Sequence, residues 1–463
     1  MNVHGLEVSV KNLPILDPGF IPMAAFCRDY EASAANGKEI AVAVERNQGQ
    51  TAVRRFRIHG TPEMKAADAL YVDRTVKMLL WAYGGYKVMI CGDETVAETI
   101  AAAYSKGGSR EFDSTFMARV YERPFEVVSL PLSEVPAEKS TAQSVGRNLD
   151  GCRIGFDAGG SDRKVSAVVD GVSVYSEEVV WFPKTNEDPT YHYEGILNAM
   201  KTAASHMPRV DAIGVSSAGV YVDNKIMVAS LFLKVSDEDF ERKVKNMYID
   251  VAREIGENIP IEVANDGDVT ALAGAMDLND DSVLGIAMGT SEAGGYVDPD
   301  GNITGWLNEV AFVPVDYCEE AMVDEWSGDY GCGVKYFSQD GVIKLAPFAG
   351  IELDESLTLA EKLKVVQGLM KDGDERAAAI YDTIGAYFGY AIAYYTEFYD
   401  IKHVLIMGRV TSGEGGVILL ERAQEVLDKE FPELAKKIQL HIPDEKSRRV
   451  GQSVAAASLP KLG

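Results

Sequence analysis

The chain repeats itself, and the repeat limits what it can fold into. Residues 153–171, RIGFDAGGSDRKVSAVVDG, shifted by 130 positions without a gap, fall on VLGIAMGTSEAGGYVDPDG at 283–301. Gly155, Gly159, Ser161, Asp170 and Gly171 then meet Gly285, Gly289, Ser291, Asp300 and Gly301. Both copies read as strand, glycine turn, strand, Asp-Gly turn and a third strand, because Asp-Gly between apolar alternations favours a tight hairpin. One unit of the repeat is therefore expected to be a β-meander.

Helix and strand signals follow each copy. After the first, Tyr193, Ile196, Leu197 and Met200 recur at helical spacing and lead into the short strand DAIGVSS at 211–217. After the second come a helix expected over 375–399 and the strand HVLIMG at 403–408. Two such units predict two similar α/β domains facing each other across a cleft, with the glycine turns on opposite walls. A worn third copy precedes them: IAVAVERNQGQTAVRRFRIHG at 40–60 has the strand-turn-strand order, with Gln48 and Gln50 where the other turns hold glycine and serine. The polar stretch SEVPAEKSTAQSVGRN at 133–148 reads as a linker. The expected organisation is an extra N-terminal α/β domain over 1–150, a first domain over 151–275 and a second over 276–463.

Charge and cysteine usage narrow the partners and the compartment. With 45 Lys and Arg against 71 Asp and Glu, the net charge of −26 opposes attraction to nucleic acid and to anionic lipid. Five scattered cysteines, odd in number and not spaced as pairs, fit a reducing compartment better than a disulfide framework. The N-terminus MNVHGLEVSVKN has no basic region followed by an apolar run, and no stretch reaches the roughly 18 apolar residues of a membrane span. A cytoplasmic protein is expected, with a homodimer left open.

The chemistry concentrates in four segments. The turn of Gly159, Gly160 and Ser161 offers bare amides and a hydroxyl beside Asp157, the material of a phosphate cradle, although an ordinary hairpin would look the same. In IPIEVANDGDVTALAGA at 259–275 an apolar strand runs through Asn265 into Asp266 and an alanine-rich helix. Asp266 is either an N-cap or a general base held at a strand-to-helix junction. The second glycine turn holds Gly289, Thr290 and Ser291. In VLIMGRVTSGEGGVILLERAQEVL at 404–427, a strand ends at Gly408, and a loop with Gly413, Gly415 and Gly416 leads into a helix whose N-terminus attracts anions. It fits neither GxGxxG nor GxxxxGK[ST].

In this order, GFDAGGS, VANDGDVTAL, AMGTSEAGG and IMGRVTSGEGG resemble the phosphate-1, catalytic, phosphate-2 and adenosine motifs of the actin, hexokinase and Hsp70 superfamily. Within it, residues 151–463 most resemble the ROK (repressor, ORF, kinase) sugar kinases and the neighbouring N-acetylglucosamine kinase-like proteins, whose last helix is also similar to GQSVAAASL at 451–459. The resemblance implies two ribonuclease H-like domains and an ATP-dependent, magnesium-requiring kinase of a small sugar. It implies Asp266 as catalytic base, Asn265, Glu309 and Ser230 as sugar contacts, and Asp157 as the magnesium-holding aspartate. Gly159, Gly160, Ser161, Gly289, Thr290, Ser291, Gly408 and Gly415 fall on the ATP-binding loops.

The departures fall on the sugar side. Phe312 stands where the family has a histidine, Ser230 where it has an asparagine, and of the family's zinc cluster of one histidine and three cysteines only Cys332, in DYGCGVKYF, remains. One cysteine cannot supply a four-ligand site, so no structural zinc is expected. Phosphoryl transfer asks for positioning and charge neutralisation, to which Lys164 either contributes or merely faces solvent. Two other readings stay open: a sugar- or nucleotide-binding sensor that has lost turnover, and an ATPase working with a protein partner through the N-terminal domain.

Overall fold

A computed structural model of the protein describes residues 1–140, 145–443 and 445–462, with backbone only for 445–450. Residues 141–144 of the expected linker lie outside this description. The chain divides into two compact units, the first made of Met1–Thr141, Ile286–Gly294 and Trp306–Ile442, the second of Ala142–Gly285, Gly295–Gly305 and Pro443–Gly463. Residues 1–141 thus pack with 306–442 in one unit. The class is mixed α/β with several separate sheets.

The N-terminal part of unit 1 runs α1 (Met23–Ser33), β1 (Lys38–Glu45), β2 (Thr51–Ile58), α2 (Lys65–Tyr83), β3 (Lys87–Cys91), α3 (Glu94–Ala103), α4 (Glu111–Tyr121) and β4 (Glu126–Leu130). Its sheet has the order β2-β1-β3-β4. The apolar run Ile40–Val44 is buried on both faces, as expected of a strand covered by helices. The element order is that of the expected third copy, but β1 pairs antiparallel with β3.

Unit 2 is built on β5 (Cys152–Ala158), β6 (Asp162–Val169) and β7 (Val172–Val180), followed by α5 (Pro189–Ser205), β8 (Ala212–Ser217), the hairpin β9 (Val220–Val222) and β10 (Lys225–Val228), α6 (Met247–Ile255), β11 (Ile261–Asn265) and α7 (Asp266–Leu278). The sheet order is β11-β8-β5-β6-β7, with β5, β6 and β7 antiparallel and β5, β8 and β11 parallel. This sheet differs from the N-terminal one in its parallel β5–β8 pair and in its fifth strand, β7. Asp170 and Gly171 both take positive φ, the two-residue hairpin geometry that Asp-Gly supplies. The expected meander is present here in full.

The second copy gives β12 (Val283–Met288) and β13 (Glu292–Val297), but its third strand shrinks to one bridge between Val297 and Ile303. At this Asp-Gly only Gly301 has positive φ, and the Asp298 carboxylate takes the Asp300 and Asn302 amides, closing a wider turn. Then follow α8 (Glu375–Tyr395), shorter than expected, β14 (His403–Met407), α9 (Glu414–Glu430) and β15 (Gln439–His441), in the sheet order β13-β12-β14-β15. Gly385 and Gly389 let α8 approach α9, since a Cβ at either would come within 2.7 Å of atoms of α9.

The last helix, α10 (Glu445–Ala457), returns to unit 2. It lies directly on β5 and β8, where a Cβ at Gly155 would stand 1.9 Å from the Ser453 carbonyl oxygen and one at Gly214 1.6 Å from that of Ala456. The echo residue Gly155 is thus a packing requirement.

Candidate functional site

In unit 2 the ends of three parallel strands carry polar side chains into one buried neighbourhood. Asp157 on β5 and Ser216 on β8 are register partners, and the Ser216 hydroxyl donates to Asp157 Oδ1 at 2.8 Å. Gln452 of α10 donates to the same oxygen at 3.5 Å. Burial pushes the Asp157 carboxyl up to about 6; the Ser216 bond and Lys164 oppose this, and Asp266 adds to it. Lys164 faces Asp157 across the register but also holds Asp162 at 3.4 Å.

On β11 the chain places Asn265 and Asp266 in different roles. Asn265 is the N-cap of α7: its Oδ1 accepts the Gly267 amide at 2.7 Å, and its Nδ2 donates to the Gly219 carbonyl at 2.7 Å. Asp266 is the first residue of the helix proper. Burial pushes its carboxyl upward, opposed by the Gly267 amide, which donates to Oδ1 at 3.0 Å, and by the Lys184 charge. The helix start is pinned by Asp268, whose carboxylate takes the Tyr296 amide at 3.0 Å, and by Gly295, where a Cβ would lie 2.1 Å from the Gly267 carbonyl oxygen.

The turn after β5 needs its first glycine, because a Cβ at Gly159 would lie 2.7 Å from the Asp162 carbonyl oxygen. Trp181 Nε1 donates to the Gly159 carbonyl at 2.7 Å and the Ser161 hydroxyl to Asp162 at 3.1 Å. Over this turn lies a cation the sequence did not single out. A Cβ at Gly160 would stand 3.0 Å from Lys184 Nζ, and the same ammonium attracts the Asp266 carboxylate. Lys184 sits in the short helical turn Pro183–Thr185, whose Pro183 carbonyl bonds the buried His192 ring at 2.9 Å. A lone lysine after the third strand of a meander carries no motif; only the return of the chain over the turn reveals it. Ser230 opens another such turn, Ser230–Phe232, in the same unit.

Unit 1 brings together the second glycine turn and the β14 loop. The Gly289 amide donates to the Ser291 carbonyl at 2.9 Å, Thr290 lying between them, and the Gly289 carbonyl accepts from Gln339. Gly408 has φ +105°, and a Cβ there would lie 2.2 Å from the Met288 carbonyl oxygen, so only glycine permits this approach. Gly415 and Gly416 lie within the first turn of α9 and not in the loop before it; a Cβ at Gly415 would strike the Tyr381 ring at 2.6 Å.

Glu309 precedes the short turn Val310–Phe312, and its amide donates to the Trp81 carbonyl at the end of α2. Beside it is Glu292, unremarked in the sequence and fully buried, with neither carboxylate oxygen hydrogen-bonded among the described residues. Burial first, and the Glu309 charge second, push the Glu292 carboxyl well above the usual range.

No protein-family model matches the chain, and no curated protein is similar to it in sequence. Among solved structures, a ROK family transcriptional regulator, a homologue of the E. coli MLC protein, is similar over 67% of this chain and 79% of its own, with TM-score 0.50 and 17% identity. Over about two thirds of its length the chain has the fold of that ROK protein. A ROK hexokinase from Thermus thermophilus (17% identity, 66% of this chain and 97% of that one, TM-score 0.48) and a ROK family glucokinase from Streptomyces griseus in complex with glucose and AMPPNP (19%, 66% and 98%, 0.46) are also similar. At these identities the likeness is one of fold.

Phe312 and Cys332 are both held by packing local to unit 1. Phe312 packs on Trp81 at 4.3 Å between ring centroids and on Phe112 at 5.6 Å, an aromatic cluster supplied by α2 and α4. Close by, Asp329 receives Arg74, Lys77 at 3.0 Å and Arg110 at 2.7 Å. Burial raises the Asp329 carboxyl, but these three cations hold it far below the carboxylate range. Burial pushes the Cys332 thiol up to about 11, so without a neighbouring positive ion it is a neutral thiol. Among the described residues no group of three or more His, Cys, Asp or Glu is placed to hold a metal ion.

Proposed function

We propose that the protein is an ATP-dependent phosphotransferase that phosphorylates a hydroxyl of a sugar or sugar-like small molecule, with Asp266 as general base. The observation that carries this reading is the division of labour at the head of α7. Asn265 caps the helix, so Asp266 is not needed for that purpose. It is instead held in a desolvated site that raises its proton affinity, the tuning a general base requires.

The neighbouring groups suit the transfer. The Gly159–Ser161 turn offers main-chain amides to phosphate, and Lys184 adds a positive charge between that turn and the base. Asp157 fits the magnesium of a nucleotide complex: Oδ1 is engaged by Ser216 and Gln452, while among the described residues no hydrogen bond reaches Oδ2. A single carboxylate with substrate phosphates is an ordinary magnesium donor set, and the ion would neutralise phosphate charge. Gly289, Thr290, Ser291, Gly408 and Gly415 are assigned to the nucleotide, and Asn265, Glu309 and Ser230 to the acceptor.

A second reading, a sensor without turnover, is favoured by the Phe312 cluster on the acceptor side. The deciding experiment is a thermal-shift screen of sugars with and without Mg-ATP, followed by measurement of ADP release with each sugar that raises the melting temperature. Sugar-dependent ADP release is expected. Binding without any release would favour the sensor.

A further inference from the structure

Away from these residues, in unit 1, we propose a second reactive centre: Ser33, His59 and Asp68 form a hydrogen-bonded nucleophile, base and positioning carboxylate competent to cleave small activated carboxylic esters. Ser33 is the last residue of α1, His59 follows β2, and Asp68 lies in the first turn of α2. The Ser33 hydroxyl is 2.7 Å from His59 Nε2, and His59 Nδ1 is 2.8 Å from Asp68 Oδ1. Nucleophile, base and orienting group within hydrogen-bond reach in that order are the constellation of nucleophilic catalysis.

The proton positions follow from Asp68. Its carboxylate is buried and accepts four donors: the Tyr30 hydroxyl at 2.5 Å, the His59 amide at 3.0 Å, the Gly60 amide at 2.8 Å and His59 Nδ1. An ionised carboxylate only accepts, so Nδ1 carries the hydrogen, and in the neutral ring Nε2 presents its lone pair to Ser33. The Ser33 hydroxyl also lies 3.0 Å from the Tyr30 carbonyl, but that oxygen already accepts the Ala34 amide at 2.8 Å. Turning the hydroxyl hydrogen to His59 therefore leaves no buried acceptor unpaired. Ser33 is exposed, whereas the His59 ring is mostly covered.

The reaction balances without a cofactor. Ser33 Oγ attacks the ester carbonyl carbon as its proton passes to His59 Nε2. The bond to the leaving alcohol breaks, and that alcohol takes the proton. Water then gives its proton to the same nitrogen, attacks the acyl-serine and releases the acid and Ser33. The substrate class follows from position. Ser33 ends a helix, where the free carbonyls oppose a developing oxyanion, so only acyl groups with a good leaving group are within reach and amides are not.

The test uses the full-length protein, a fluorophosphonate probe and 4-nitrophenyl acetate. The probe's P–F bond breaks as Oγ–P forms, fluoride leaves and His59 takes the proton. Mass mapping is expected to place the probe on Ser33 of the folded protein, with no capture by Ser33→Ala and capture slowed about 10²-fold in His59→Gln, the usual contribution of a general base. Melting temperatures identify variants that remain folded, and acetate release from the nitrophenyl ester should fall in parallel. An unlabelled Ser33 in the folded wild type, or labelling as fast in folded His59→Gln, would overturn the proposal. Neither result bears on phosphoryl transfer.

Discussion

Asn265 caps the helix that Asp266 begins: the Asn265 Oδ1 takes the Gly267 amide at 2.7 Å, and Asp266, one residue on, carries a carboxyl raised by burial. A cap and a base at adjacent positions look interchangeable in a sequence, because both are short polar residues at a strand-to-helix junction. Separating them requires the backbone, which leaves Asn265 outside the helix at φ −59° and ψ 143° and makes Asp266 its first residue.

The Asp157 carboxyl is pushed up to about 6 from 3.8, so the folded state binds its proton more tightly than the unfolded state does. The sign follows: the carboxyl does not weaken the fold below about pH 4, weakens it increasingly as pH rises to 6, and does so fully above that. Asp157→Asn should therefore be more stable than wild type at pH 7–8, by an amount on the order of 1–3 kcal/mol, with the gain vanishing near pH 4. Urea titrations of both proteins across that range measure it. Wild type and variant differing by the same amount at every pH would contradict the assigned cause.

Lys184 lowers the proton affinity of Asp266 by attraction. Lys184→Gln should move the acid limb of the rate profile to higher pH, because the base then holds its proton more tightly, and should slow transfer while the melting temperature changes little. An unmoved profile would leave Lys184 as an ordinary surface charge.

Three cations converge on Asp329. Asp329→Asn leaves them facing a neutral amide in a buried site and should destabilise unit 1 by about 3–5 kcal/mol. In wild type the same ion pairs lose strength in acid, as Asp329 protonates below its unfolded-state value. Elemental analysis should show no stoichiometric zinc, since α2 and α4 supply the packing and charge that hold this segment.

Much of the unit 2 fold was legible from 153–171, because a glycine turn and an Asp-Gly hairpin are conformational demands that few residues meet. The second copy shared those letters but not the third strand, since Asp298 recruits its own turn amides and widens the corner. Likewise the succession of N-terminal elements was readable while the antiparallel β1–β3 pairing was not, because alternation of apolar residues sets which face is buried and not which strand lies alongside. Asp157 and Asp266 stood out as carboxylates at strand ends. Lys184, Glu292 and the Ser33–His59–Asp68 relay did not, since each owes its character to residues distant in the chain.

If Asp266 removes the acceptor's proton, a side chain of the same shape without a carboxylate cannot replace it. Asp266→Asn keeps the side-chain volume and the oxygen that accepts the Gly267 amide but cannot take a proton. The quantity to measure is turnover with the sugar found by thermal shift, alongside nucleotide binding and melting temperature. A loss of about 10²- to 10⁴-fold, equivalent to roughly 3 to 5 kcal/mol of barrier, is expected, with nucleotide binding intact and the melting temperature unchanged or raised. A folded variant that turns over at near wild-type rate would contradict it.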